Sequence, residues 1–212
     1  MSLIISINSK EGIVIAADRR TTIRGNGGSM RFSDETTKIF PSTERLAVSF
    51  CGNHYLNGDT IIQFLEQVKE KYKYDTDIFD FPSQLLWEYQ QKEAMSDITI
   101  VVAGYDKKAN IPMIYIMNLK EKTIKLAFSG NNYGATFHGG NDIADVIMKN
   151  IYYGDLSIRE VIDLAKLTVD TTIQAYKYRM NQSVGGNTDI FLIPKNNNEK
   201  SKWITNNHEI HT

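Results

Sequence analysis

The sequence predicts an α+β fold in which two antiparallel sheets are covered by helices. Three observations lead to this prediction. The predicted elements run in the order strands, two helices, strands, two helices and strand, most consecutive strands are joined as hairpins, and the helices come in pairs. With 212 residues, 42% of them hydrophobic, the chain can bury a full core. Without repeats or a Pro/Gly/Ser-rich linker, residues 1–212 predict a single domain, with a polar tail over about 195–212.

The opening of the chain predicts a β-hairpin. The runs LIISI and GIVIAA are rich in β-branched residues and are joined by NSKEG, whose last residue, Gly12, suits a turn. Near-continuous apolarity in IVIAA predicts a strand that is buried on both faces. The stretch RGNGGS then predicts a loop, and TKIF and RLAVSFC predict two further short strands.

Apolar residues at helical spacing predict four helices. The first runs from Ile61 to Tyr72, and the second lies around PSQLLWEYQQKEA, where Pro82 suits a first helical turn. Later come DIADVIMKNIY and the longer SIREVIDLAKLTVDTTIQAY, in which Ser157 and Glu160 form a capping-box pattern. The other strands are predicted at DITIVVAGY, PMIYIMNL, TIKLAFSG, GATFHGG, TDIFLI and KWIT.

Composition excludes several classes of function. Twenty-four basic and 25 acidic residues give a formal charge of −1, which argues against a nucleic-acid partner. A single cysteine, Cys51, excludes an internal disulfide and fits a reducing, cytoplasmic location. The chain shows no signal peptide and no run of roughly 18 apolar residues, so we expect no membrane association. No ligand set with metal spacing stands out, and no metal or other cofactor is expected.

Two local patterns suggest chemistry but favour simpler interpretations. RGNGGS resembles a phosphate loop, yet no Gly-Lys-Ser/Thr follows and no helix opens there, so a mobile loop is the better interpretation. Cys51 with His54 suggests a Cys/His nucleophile pair. However, Cys51 ends an apolar strand, where a small buried thiol is the usual finding.

Asp18 and Lys38 are two charged residues that border apolar strands. Asp18 follows IAA directly, and Lys38 leads into IF. If both side chains point inward they should pair, because each offsets part of the other's desolvation cost. The pattern alone slightly favours the alternative, in which both are surface charges at strand ends.

Together these segments resemble the β-type subunits of the proteasome family, which are N-terminal-nucleophile hydrolases. The resemblance rests on SLIISI, GIVIAADRR, KIF and VSFCGN at near-matching spacing, with VVAGYDKKANIPMIYIMN and SVGGNTDIFLI further on. It covers most of residues 2–193 and implies a four-layer αββα sandwich of two antiparallel sheets flanked by helices. It also implies a homo-oligomer, often a ring, and allows an unfoldase partner, for which no docking motif stands out.

The resemblance implies a catalytic role for several residues. Ser2 falls on the nucleophile position, where the family usually has Thr, and it becomes N-terminal only after Met1 is removed. Gly52 falls on the glycine whose N–H helps to form the oxyanion hole. Asn181 stands where the family has an Asp, which removes a charge from the site. The remaining catalytic expectations are Asp18, Lys38, Ser129 and Ser183, and the substrate-binding expectations are Arg20, Thr21, Cys51 and His54.

The resemblance predicts that the protein hydrolyses peptide or other amide bonds through Ser2. A free α-amine on Ser2 can accept the hydroxyl proton, and a cationic Lys38 nearby would lower the pKa of that amine. Two alternatives remain open. The chain is a catalytically inactive structural or assembly homologue, or it is a non-proteolytic amidase or acyl transferase on the same scaffold.

Overall fold

A computed structural model describes residues 2–24, 30–72, 76–92, 95–179 and 182–204, together with the backbone of 210–211. Met1, Asn181 and residues 25–29 of the predicted RGNGGS loop lie outside these ranges. The helices are α1 (Ile61–Tyr72), α2 (Phe81–Gln91), α3 (Asp142–Met148) and α4 (Ile158–Lys177). The strands are β1 (Leu3–Asn8), β2 (Gly12–Asp18), β3 (Thr21–Arg24), β4 (Met30–Ser33), β5 (Ile39–Thr43), β6 (Leu46–Gly52), β7 (Tyr55–Leu56), β8 (Asp59–Thr60), β9 (Ile98–Tyr105), β10 (Pro112–Asn118), β11 (Thr123–Ser129), β12 (Gly134–Gly139), β13 (Thr188–Pro194), β14 (Lys202–Ile204) and β15 (Ile210–His211).

Two large antiparallel sheets form the centre of the protein. The first has six strands in the order β12-β1-β2-β13-β14-β15, and the second has five in the order β11-β10-β9-β6-β5. The central strands β1 and β2 pair so that Ser6 lies opposite Ile15, and β13 continues the sheet on the other side of β2. Short hairpins, β3–β4 and β7–β8, stand apart from both sheets.

Three apolar clusters arrange these elements in four layers. One cluster joins α3 and α4 to the first sheet, and another joins α1 and α2 to the second. The third fills the space between the sheets, where Ile4 and Ile15 meet Ala47 and Val101. The layers are therefore α, β, β and α, which confirms the predicted fold class. Among the residues that the structure describes, no helix is both long and apolar enough to cross a membrane.

Side-chain alternation explains why β1 and β2 are buried on both faces, as predicted. Leu3, Ile5 and Ile7 pack toward the helices, whereas Ile4 packs toward the second sheet. Every residue of both strands is buried. Burial on both faces fixes their register, because a slip of one residue would exchange the two sets of side chains.

The structure differs from the predicted elements in a few places. α3 ends at Met148 rather than near Tyr152, because Lys149 adopts an extended conformation with ψ of 140°. The hairpins β3–β4 and β7–β8 are not predicted, since their strands have only four and two residues. Within the segment expected as a polar tail, β14 pairs with β13, and Trp203 packs edge-on against Phe191.

Candidate active site

The site is built where the start of β1 meets the end of β2. Ser2 precedes β1 and is only 3% exposed. Its carbonyl oxygen accepts a hydrogen bond of 2.7 Å from the backbone N–H of Gly140, and the next residue, Leu3, donates its N–H to Asp18 Oδ1 at 2.8 Å. The first residues of the chain are thus held on both sides by neighbouring strands.

Asp18 and Lys38 form a fully buried ion pair. Lys38 Nζ lies 2.6 Å from Asp18 Oδ1, and both side chains are 0% exposed. The same ammonium donates to the backbone oxygen of Arg20 at 2.7 Å. Burial lowers the pKa of Lys38, and the negative charge of Asp18 opposes that shift. The inward-pointing arrangement is therefore the one that the chain adopts.

Four donors surround the Asp18 carboxylate, which explains how a buried charge is tolerated. Besides Lys38 and the Leu3 N–H on Oδ1, the backbone N–H groups of Gly185 and Arg20 donate to Oδ2 at 2.9 and 3.2 Å. Hydrogen bonds to both carboxylate oxygens offset the cost of burying this side chain. It also ties β1, β2 and the turn before β13 together at one point.

Gly52 ends β6 in a conformation that requires glycine. Its φ is +113°, and a Cβ at this position would lie 2.2 Å from the backbone oxygen of Asp97. Phe50, two residues earlier, donates its N–H to the Lys38 oxygen at 3.1 Å. Because N–H groups alternate in direction along a strand, the Gly52 N–H lies on the same side of β6, toward the Lys38 segment.

Thr21 and His54 lie together next to this cluster. The Thr21 hydroxyl is 3.3 Å from His54 Nε2 and 2.8 Å from the Thr36 hydroxyl, and the His54 ring meets the Phe50 ring edge-on. Burial lowers the pKa of His54 to about 4, and the positive charge of Lys38 acts in the same direction. His54 is therefore a neutral imidazole at pH 7.

Cys51 behaves as the buried thiol that its position suggests. It is 6% exposed and belongs to the apolar cluster between the sheets. Burial raises its pKa to about 11, so the nucleophilic thiolate is scarce at neutral pH. Together with a neutral His54, this argues against a Cys/His catalytic pair.

The structure places Ser129 away from Ser2. Ser129 ends β11, and the neighbouring Gly130 oxygen accepts a hydrogen bond from Asn8, at the far end of β1. Because β1 has six residues, Ser129 is separated from Ser2 by about 20 Å along the strand. The structure therefore does not bring Ser129 to Ser2, and its catalytic role stays a prediction from the resemblance.

The backbone of Ser2 instead contacts two glycines that sequence reasoning missed. A Cβ on Gly139 would lie 1.6 Å from the Ser2 oxygen, so only glycine fits. A Cβ on Gly140 would lie 2.7 Å from Val184 Cγ2 and 2.8 Å from Tyr176 Oη. The pair of glycines in FHGGN, at the end of a predicted strand, was the available signal for a close backbone approach.

Ser183 lies in the segment that leads to the Asp18 contact. It is 3% exposed, and within the described part of the chain its hydroxyl has no hydrogen-bond partner. Gly185, two residues on, donates to Asp18. Of the expected site residues, those at this end of the sheets are Ser2, Asp18, Arg20, Thr21, Lys38, Cys51, Gly52, His54 and Ser183.

The layered fold and the buried Asp–Lys pair at the start of the first strand define the class: this is the N-terminal-nucleophile hydrolase fold. A model of the family described as "Proteasome subunit" matches residues 2–184, and the chain belongs to that family. It is 24% identical to proteasome subunit beta type-4 of Saccharomyces cerevisiae over 179 residues, which cover 80% of this chain and 83% of that subunit.

A solved structure shows the same fold. An Anbu (Gly-1) mutant from Hyphomicrobium sp. strain MC1 matches with a TM-score of 0.72 over 99% of this chain and 89% of the other. Because the two sequences are only 16% identical, this likeness concerns the fold alone.

Proposed function

We propose that this protein hydrolyses peptide or other amide bonds with Ser2 as an N-terminal nucleophile, after removal of Met1. The observation that carries the proposal is the Lys38 ammonium. It is fully buried, held by Asp18 at 2.6 Å and by the Arg20 oxygen at 2.7 Å, at the end of the sheets where the chain begins. Active sites commonly place a buried charge of this kind beside a group whose pKa must be shifted.

In the proposed first step the Ser2 hydroxyl attacks the substrate carbonyl carbon. The free α-amine takes the hydroxyl proton, directly or through one water. An α-amine has an ordinary pKa of about 7.7–8.0, and the like charge of Lys38 lowers that pKa, so that the amine is a neutral base near pH 7. Asp18 keeps Lys38 charged and oriented.

The developing oxyanion needs a donor, and the Gly52 N–H has the direction to supply one. Deleting a donor of this kind costs about 2.7–4 kcal/mol in other enzymes. Collapse of the tetrahedral intermediate returns the proton to the leaving amine and leaves an acyl group on Ser2 Oγ. Water, activated by the same α-amine, then releases the acid.

A test begins with the intact mass of the purified native protein, which shows whether Met1 is removed. The protein is then treated with a fluorophosphonate, which reacts with activated serine hydroxyls and loses fluoride. We expect one adduct on the wild type and none on Ser2→Ala. Complete retention of Met1, or equal labelling of both proteins, would contradict the proposal.

The second candidate function is that of an inactive structural subunit, and a specific observation favours it. Gly140 contacts the Ser2 backbone without offering a side chain, and Tyr176 and Val184 fill the space where one would project. The replacement of the family's Asp by Asn181 points the same way. A mature protein that carries a free Ser2 but resists both the fluorophosphonate and peptide substrates would have this role.

We also propose that the chain forms a homo-oligomer, as its family suggests. Large apolar side chains are exposed on β3, β4, α2, α3 and α4, among them Ile23, Met30, Trp87, Val146 and Leu167. Sedimentation velocity tests this proposal, and a monomer at micromolar concentration would contradict it.

A further inference from the structure

Residue 20 connects the buried ion pair to the surface. The backbone N–H of Arg20 donates to Asp18 Oδ2 at 3.2 Å, and its backbone oxygen accepts from Lys38 Nζ at 2.7 Å. Both charges of the pair are thus in contact with one residue. Any shift of that residue moves the oxygen that fixes the Lys38 ammonium.

The side chain of Arg20 is anchored by Asp34, which follows β4. Arg20 Nε lies 2.7 Å from Asp34 Oδ1, and Arg20 Nη2 lies 2.8 Å from Asp34 Oδ2. Two parallel bonds of this kind fix both the position and the plane of a guanidinium. The Asp34 side chain is 40% exposed and that of Arg20 only 16% exposed, so the anchor reaches inward from the surface.

Other contacts hold the guanidinium flat against the turn that also binds Asp18. A Cβ on Gly185 would lie 2.3 Å from Arg20 Cζ, which shows how closely the plane stacks on this glycine. Arg20 Nη1 donates to the Gln182 oxygen at 3.2 Å, and the Phe32 ring lies 5.1 Å away on β4. The Arg20 side chain therefore connects the β3–β4 hairpin to Gly185. The N–H of Gly185 is the second backbone donor to Asp18 Oδ2, beside that of Arg20 itself.

We propose that Asp34 is a positioning residue that holds the Lys38 ammonium in place through Arg20. This inference rests on the proposed function, because its purpose is to keep the cation beside the nucleophile. It makes the β3–β4 hairpin a support of the active site. The charged or titratable groups that interact with Lys38 are Asp18, Asp34, Cys51 and His54, and those that interact with the Arg20 side chain are Asp18 and Asp34.

The test compares Asp34→Ala and Asp34→Asn with Glu35→Gln. Glu35 is the next residue, is exposed and lines the same polar groove of about 560 Å³, yet it makes no described hydrogen bond to Arg20. Asp34→Asn keeps the shape of the side chain, so it remains informative if Asp34→Ala folds poorly. Asp34→Glu serves as the conservative variant.

The measurement is the rate of fluorophosphonate labelling of Ser2 against probe concentration and pH. We expect Asp34→Ala to lower the maximal labelling rate about 10- to 100-fold with little change in half-saturating concentration, because misplacing a catalytic group by about 1 Å has effects of this size. With Lys38 displaced, the pKa of the α-amine rises, so the midpoint of the rate against pH moves upward. Asp34→Glu restores part of the rate, and Glu35→Gln behaves as wild type.

Wild-type rates and an unshifted midpoint in both Asp34→Ala and Asp34→Asn would overturn the inference. Absence of labelling in the mature wild type would instead refute the proposed function. The positioning role is then decided by a crystal structure of Asp34→Ala. Displacement of the Arg20 peptide and loss of its contact with Lys38 would support the role, and an unchanged contact of 2.7 Å would overturn it.

Discussion

At the scale of single residues, the buried Lys38–Asp18 pair contributes more to site geometry than to stability. Removing an ion pair from water costs several kcal/mol for each ion, and attraction between the ions only offsets this. The pair persists because Asp18 has four donors and because the Arg20 oxygen accepts from Lys38. The arrangement is what a site needs when it must keep a cation close to a nucleophile.

Replacing Lys38 with Met removes one partner of the pair. The variant leaves the Asp18 carboxylate buried without its cation, so we expect the free energy of unfolding to fall by about 3–5 kcal/mol. Fluorophosphonate labelling should be lost as well. The matched control is Lys92→Met, which breaks a partly exposed pair with Asp59 and should lower the free energy of unfolding far less than Lys38→Met. Urea denaturation measures both, and equal losses in the two variants would contradict the expectation.

His54 gives the site a pH dependence in stability. Its pKa is lowered from 6.5 to about 4 in the folded protein, so below pH 6.5 the unfolded chain binds more protons than the folded one. Stability therefore falls as pH decreases from about 6.5 toward 4. We expect His54→Gln to flatten the dependence of the free energy of unfolding on pH in this window. Identical slopes for wild type and variant, measured by urea denaturation at several pH values, would refute the effect.

At the scale of elements, the residues at the end of β12 fix the position of the Ser2 backbone. Gly139 adopts φ of +97° and comes so close to Ser2 that a methyl group would overlap the Ser2 oxygen. Gly140 then donates to that oxygen. Two consecutive glycines therefore allow close backbone contacts that hold Ser2 in place.

Gly139→Ala should therefore displace Ser2 and abolish labelling, with a stability loss clearly larger than that of a matched glycine. Gly130 is the control, because it also has positive φ, +60°, but a Cβ there would meet nothing within 4 Å. Gly130→Ala should lower the free energy of unfolding by only about 1–2 kcal/mol, the cost of a left-handed backbone conformation for a residue with a Cβ. Comparison of the two variants by thermal unfolding and by labelling separates backbone strain from steric overlap. A Gly139→Ala variant that is labelled at the wild-type rate would show that Gly139 does not fix the position of Ser2.

These elements also show why prediction from sequence succeeded where it did. Long apolar runs such as β2 and the capped helix α4 carry their own periodicity, and both were predicted correctly. The contacts of Gly139 and Asp34 depend on strands brought together by the fold, which no local pattern encodes. The position of Ser129 near Asn8 could not be predicted for the same reason, because the local sequence of a strand does not indicate which end of β1 its residues will lie near.

At the scale of the whole molecule, Arg45 bridges the two sheets at the end of the sandwich opposite the site. Arg45 precedes β6, whose seven residues span about 20 Å and end at Gly52. Its guanidinium donates to the Pro194 oxygen and to Asn110 Oδ1, both at 2.5 Å, and lies 4.3 Å from the centre of the Tyr105 ring. Since Pro194 ends a strand of the first sheet and Asn110 lies in a turn of the second, this side chain joins the two sheets.

Stability and activity should therefore separate at Arg45. Arg45→Lys keeps the charge but loses the planar fork and the stacking, so we expect the free energy of unfolding to drop by about 1–3 kcal/mol. The rate of Ser2 labelling well below the melting temperature should stay within about twofold of wild type, because about 20 Å of strand separates the two places. Arg20→Lys is the matched comparison at the other end, where the same substitution should slow labelling strongly. If Arg45→Lys also slowed labelling tenfold, the sheets would be coupled along their whole length, and the site could not be treated as independent of the distant bridge at Arg45.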